Sequence, residues 1–194
     1  MKREYIRLQT DSIWIWTKDI KKQWTEEGGR KFSAAEKSRI SSIMGKKLLE
    51  QMLEKRYGIL LSKEETPLGK EPQGKPFLTH HPEIYFNISH SENLISCGVG
   101  NIPLGLDIQF HRMGNYEKTA KRILSPEEWL AYEKAGCTPE KFFYFWTKKE
   151  SYLKYTGEGI RRELSALRYE KVQFFPLEME TGYTGMVCVP AACE

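Results

Sequence analysis

The run Phe142-Phe143-Tyr144-Phe145-Trp146-Thr147-Lys148-Lys149-Glu150-Ser151-Tyr152-Leu153-Lys154-Tyr155-Thr156-Gly157 constrains the fold more than any other stretch of the chain. Thr138 before Pro139 is an N-cap followed by a first-turn proline, and Gly157 is a C-terminal stop, so the stretch reads as one helix. Phe142, Phe145, Trp146, Lys149 and Leu153 recur at helical spacing and cover an apolar stripe. Glu150 lies one turn after Trp146 and one turn before Lys154, so these three share a face. Two readings fit. One is a solvent-facing Glu–Lys pair worth a few tenths of a kcal/mol, on the order of other helix-surface pairs. The other is a carboxylate held against aromatics with an ammonium nearby, which suits a metal or phosphate site.

A second stretch bears on the choice. Leu94 to Val99 and Leu104 to Ile108 read as strands, with Asn101-Ile102-Pro103 turning between them. Asp107 sits inside the second strand between Leu106 and Ile108, and alternation turns it, with Gln109, to the face opposite those neighbours. Asp is depleted in strands, so a carboxylate there calls for a partner or for solvent on one side of the sheet. Just upstream, Phe86-Asn87-Ile88-Ser89-His90-Ser91 ends a strand. Ser89 and His90 are adjacent and point to opposite faces, which argues against a nucleophile–base pair and favours His90 as a hydrogen-bond donor to a bound phosphate.

These blocks resemble a known family. Gly74-Lys75-Pro76, Phe86 to Ser91, Gly105-Leu106-Asp107-Ile108, Phe145 to Lys154 and Gly157-Glu158-Gly159 follow one another as in the 4'-phosphopantetheinyl transferases of the surfactin-synthetase-activating type. Ala120-Lys121-Arg122-Ile123-Leu124-Ser125 with Glu127 adds a smaller match. The resemblance runs from about Gly74 to Gly159, and several blocks in order at family spacing are far more specific than any one of them. It implies an α+β fold built as a pseudo-twofold pair of similar halves in one chain. The expected halves are 1–104, with the coenzyme A-binding basic helix and the Ser-His strand end, and 105–194, with the metal-ligand strand and the Trp-Thr-Lys-Lys-Glu helix.

The implied activity transfers the 4'-phosphopantetheine group of coenzyme A to a serine of an apo acyl or peptidyl carrier protein, with Mg2+. Asp107, Glu150 and Gln109 are then the expected metal ligands, and Glu150, Asp107 and Lys154 the catalytic set. Glu150 is the candidate base, directly or through a water on the metal. Lys75, Ser89, His90 and Lys154 are expected to hold coenzyme A, with Lys37 and Lys46 reaching its 3'-phosphate and adenine. The chain departs from the family pattern at Gln109, where many members carry Glu; an amide offers a carbonyl oxygen without the negative charge. Two other readings use the same residues: a metal-dependent phosphodiesterase, and a non-catalytic protein that binds coenzyme A or a carrier.

The rest of the chain sets limits. A net charge of +4 over 194 residues is too modest for a dedicated nucleic-acid binder and compatible with an acidic or phosphate-bearing partner. Cys97, Cys137, Cys188 and Cys193 show no paired metal spacing; Cys97 and Cys188 read as small buried hydrophobes. No apolar run reaches membrane-spanning length and no signal-peptide pattern opens the chain, so a cytoplasmic protein with no membrane partner is expected. The modest charge argues against a nucleic-acid partner, and the family resemblance implies a monomer.

Locally, Tyr5 to Leu8 and Ile13 to Trp16 read as strands, and Trp14, Trp16 and Trp24 as core. Ser33-Ala34-Ala35-Glu36 opens a basic helix that Gly45 breaks or kinks and that ends at Tyr57-Gly58. Leu60 to Gly74 reads as loop, with His80 and His81 exposed beyond it, and Asn115 to Leu124 as a short helix. Ser125-Pro126-Glu127-Glu128 caps another helix ending near Gly136. Arg161-Arg162 then lies on the surface, and Val172 to Phe175 and Met186 to Val189 are strands joined at Glu180-Thr181-Gly182.

Overall fold

The computed structural model describes residues 1–7, 12–24, 32–61, 68–159 and 163–191. Leu8, Arg30, Lys31, Arg161, Arg162, Cys193 and the side chain of Trp24 lie outside that description. Antiparallel sheets and segregated helices make the class α+β, as expected. The chain divides into two compact units, Met1–Leu104 and Gly105–Glu194. Among the described residues no helix is long and apolar enough to cross a membrane.

The first unit contains β1 (Lys2–Arg7), β2 (Ser12–Asp19), α1 (Ala34–Tyr57), β3 (Leu68–Lys70), β4 (Pro76–Leu78), β5 (Tyr85–Ser91) and β6 (Leu94–Gly100). Four of the strands form an antiparallel sheet in the order β1-β2-β6-β5. Every residue of β6 is buried, as a central strand requires. The helix α1 begins with the Ser33–Glu36 capping box and stops at Gly58, whose φ of 69° is left-handed. Its Leu48, Leu49, Met52 and Leu53 join Trp16, Phe86, Ile95, Cys97 and Val99 in the core. Burying side chains of this size stabilises by roughly 1.5–3 kcal/mol each.

Two expectations fail here. Gly45 does not break α1, which is helical from Ala34 to Tyr57; a side chain at that position would press on Ile88 at 2.8 Å, so the glycine serves close helix–sheet packing. The segment read as loop also carries β3, which pairs with β4 in a two-stranded ribbon. Strands of three residues leave no periodic trace in a sequence.

The second unit contains β7 (Gly105–Phe110), α2 (Glu117–Ile123), α3 (Pro126–Lys134), α4 (Pro139–Thr156), a 3-10 turn at Leu164–Ala166, β8 (Val172–Leu177) and β9 (Tyr183–Pro190). Its antiparallel sheet runs β7-β9-β8, with Asp107 opposite Met186. The caps are those read from the sequence: the Ser125–Glu128 box on α3, Thr138 on α4, and Gly157 at φ 77° behind it. On the inner side of α4, Phe142, Phe143, Phe145 and Leu153 pack with Ala120, Ile123, Leu124 and Tyr132.

The helix α4 lies across β7 and β9. Its approach to β7 is so close that a Cβ on Gly105 would collide with the Ser151 carbonyl and the Tyr155 backbone nitrogen of α4. Only glycine fits, and the obstacle is backbone, which cannot rotate out of the way. Gly105→Ala is expected to destabilise the second unit by at least about 2 kcal/mol, as overpacking does. Denaturant unfolding followed by Trp fluorescence measures this; an unchanged midpoint would show that β7 and α4 are not in such contact.

Candidate active site

Alternation along β7 puts Gly105, Asp107 and Gln109 on one face, the face that α4 covers. The Asp107 side chain is only 3% exposed, and the Lys154 Nζ on the last turn of α4 donates to its Oδ1 at 2.7 Å. The Gln109 Nε2 donates to the other oxygen, Oδ2, at 3.2 Å. Of the two readings of this helix face, the solvent-facing Glu150–Lys154 pair is not the one that forms, because the lysine reaches past its helix neighbour to the strand.

Glu150 is left in an unusual position. Its Oε1 is buried without a hydrogen-bond partner. Its carboxyl is pushed up from its ordinary value of 4.5 to about 7 by burial and by the charge of Asp107, with the Lys154 ammonium pulling the other way. Two carboxylates and one ammonium thus share a local field, and one carboxylate oxygen has nothing to bind. Among the described residues there is no group of three or more His, Cys, Asp or Glu that could hold a metal. The donor set is instead two carboxylates with an open oxygen, which is the protein share Mg2+ takes when phosphate oxygens and waters complete its shell. The residues fit that ion.

The sequence reading missed Lys149. It was placed in the apolar stripe, and it is indeed 1% exposed, but as a charged group with dedicated partners. Its ammonium contacts the Glu128 Oε2 at 2.6 Å and donates to the Leu164 carbonyl at 2.9 Å. Burial lowers its pKa, and Glu128 opposes that shift. Glu128 also accepts from the Ser125 backbone N–H at 3.0 Å and from the Tyr169 hydroxyl at 3.2 Å. One carboxylate therefore ties α3, α4 and the segment after the 3-10 turn together. The available signal was a lysine at a core position of an otherwise aromatic face; the identity of its partner lay beyond sequence reasoning.

Trp146 is half-buried rather than part of the innermost core. It lines a cleft of about 550 Å³ with Thr119, Arg122 and Ile123 of α2 and with Leu164 and Ser165 of the 3-10 turn. The other expected ligand-binding residues belong to the first unit. Lys37 and Lys46 are exposed on α1, and Lys75 is half-buried at the entry to β4. On β5, Ser89 is buried and His90 exposed, the opposite orientations that strand alternation demands. The structure brings together Asp107, Gln109, Glu150 and Lys154; Lys37, Lys46, Lys75, Ser89 and His90 are described within their own unit.

Comparison with known proteins agrees with the motif reading. Residues 103–181 match the family model of the 4'-phosphopantetheinyl transferase superfamily. A 4'-phosphopantetheinyl transferase of Bacillus subtilis is 32% identical over 127 residues, covering 64% of this chain and 55% of its own length. The gsp transferase of Aneurinibacillus migulanus is 33% identical over 132 residues, 65% of this chain and 54% of that protein. HetI of Nostoc is 38% identical over 102 residues, 47% and 42% of the two chains. The chain thus spans about half the length of the curated relatives it matches.

The raised carboxyl of Glu150 has a consequence for stability. Without metal, the folded chain keeps a proton on Glu150 that the unfolded chain releases near 4.5. The folded state then binds more protons between the two values, so stability falls as pH rises from 4.5 toward about 7. Glu150→Gln removes that contribution. In EDTA, the variant is expected to lose less stability than the parent between about pH 5 and about pH 8. Parallel profiles from denaturant titrations would contradict a buried, proton-holding Glu150.

Proposed function

We propose that this chain, a member of the 4'-phosphopantetheinyl transferase superfamily, is a transferase that moves phosphopantetheine from coenzyme A to a carrier protein in the cytoplasm. The observation that carries the reading is the unpartnered, buried oxygen of Glu150 beside Asp107, with Lys154 between strand and helix. In the reaction the carrier serine oxygen attacks the β-phosphorus of coenzyme A, and the bond from that phosphorus to the bridging oxygen breaks. The leaving group is adenosine 3',5'-bisphosphate, and the serine proton goes to a base.

Asp107 and Glu150 would hold Mg2+, which when bound would neutralise charge on the pyrophosphate as the bridging bond breaks. Lys154, flexible enough to move from Asp107 to a phosphate oxygen, would offset the charge growing on the leaving group. Glu150 would accept the serine proton, directly or through a water on the ion. Gln109 would position Asp107 through its 3.2 Å hydrogen bond and could turn its carbonyl oxygen toward the ion. Lys75, Ser89, His90, Lys37 and Lys46 are proposed to grip the nucleotide end of coenzyme A. The cleft beside Trp146, with exposed Lys121 and Arg122 on its α2 wall, suits a carrier protein that is acidic around its serine.

Intact-mass analysis of an apo carrier protein incubated with the chain, coenzyme A and Mg2+ tests the reading. One phosphopantetheinyl group is expected to be gained and EDTA to prevent it; coenzyme A binding without product across fatty-acid and peptide-synthetase carriers would point to a non-catalytic protein. Asp107→Ala and Glu150→Ala are each expected to lower the rate by at least about 100-fold while the chain stays folded, in line with removing a charge-stabilising group. Full activity in either would remove the proposed metal site. Gln109→Glu is expected to lower the Mg2+ concentration giving half-maximal rate, and an unchanged Mg2+ dependence would place that side chain outside the ion's reach.

A further inference from the structure

Asp107 has both carboxylate oxygens in use. Lys154 holds Oδ1 at 2.7 Å and Gln109 holds Oδ2 at 3.2 Å. The aspartate is 3% exposed, whereas the Lys154 side chain is 29% exposed, so the ammonium has a way out that the carboxylate lacks. A lysine is a compact charge on a flexible four-carbon stem, and its three donors need no fixed geometry. A divalent cation shared by Asp107 and Glu150 would compete with the ammonium for the charge of Asp107, and the two cations repel.

We propose that Lys154 is the resident counter-ion of Asp107 in the metal-free protein and that it must leave when a divalent cation binds. The inference rests on the reading that Asp107 and Glu150 take that cation. Once displaced, the ammonium needs an anion, and the pyrophosphate of coenzyme A supplies one. Metal and coenzyme A therefore help each other to bind, and by linkage each tightens the other by the same factor. One lysine serves as the latch of the empty site and as the phosphate ligand of the filled one.

The probe is Mn2+, titrated into the full chain with free Mn2+ read by electron paramagnetic resonance, with and without saturating coenzyme A. In the parent protein coenzyme A is expected to tighten Mn2+ binding by about tenfold, within the usual range of coupling between sites. Lys154→Gln is expected to bind Mn2+ alone about tenfold more tightly than the parent, yet no more tightly than the parent once coenzyme A is present. Lys154→Arg, which keeps a cation on Asp107, should behave like the parent in the coenzyme A-free titration. Near-UV circular dichroism confirms that each variant is folded.

Equal or weaker binding of Mn2+ alone by Lys154→Gln would overturn the proposal while leaving the transfer reaction untouched. So would tighter binding by the same factor in both titrations, which is the mark of long-range repulsion without displacement. Unchanged Mn2+ binding in Asp107→Ala would instead remove the metal placement itself, and this proposal with it.

Discussion

The absence of a side chain at Gly105 governs the second unit. It lets the backbone of β7 lie against the backbone of α4, with the Ser151 carbonyl and the Tyr155 nitrogen where a Cβ would otherwise stand. Two residues further along the same face, Asp107 then faces the last turns of the helix, within reach of Lys154 and within the field of Glu150. A larger residue at position 105 would push strand and helix apart, and the pair of carboxylates would lose its geometry though neither had been replaced. The placement of Asp107 beside Glu150 and Lys154 depends on a packing contact.

What holds the helix in that register is a second, hidden electrostatic feature. Lys149 is buried beside Glu128, the Leu164 carbonyl and Tyr169. An isolated buried charge is costly, and a buried pair is strongly destabilised when one partner goes. Such a contact contributes less to net stability than to the uniqueness of the arrangement, because α4 cannot rotate or slide without stranding the ammonium. On one face α4 carries a satisfied ion pair; on the neighbouring face it carries Glu150, whose oxygen is unsatisfied. That contrast is what marks Glu150, and not Lys149, as the candidate for chemistry.

Much of this was legible in the residues. Ser33, Ser125 and Thr138 announced their helices, and Gly58 and Gly157 their ends, because caps are local chemistry. The carboxylate inside β7 and the one on α4 stood out because each breaks the pattern of its element. Their neighbourhood was less accessible. Helix spacing puts Lys154 on the face of Glu150, but it does not reveal the contact with Asp107, a partner 47 residues away. Gly45 looked like a helix break because its propensity says so, and tertiary packing against Ile88 overrode that propensity. The β3–β4 ribbon was too short to show, and the burial of Lys149 depended on a carboxylate from another helix.

The account stands on Asp107 and Glu150 binding one divalent cation together. Its most direct test is a crystal of the full chain grown or soaked with Mn2+ and coenzyme A, with an anomalous difference map calculated at the manganese edge. The account predicts one peak shared by the carboxylates of Asp107 and Glu150, with the Lys154 ammonium turned from Asp107 to a phosphate oxygen. A peak elsewhere, or an unaltered Lys154–Asp107 contact beside bound coenzyme A, would contradict it.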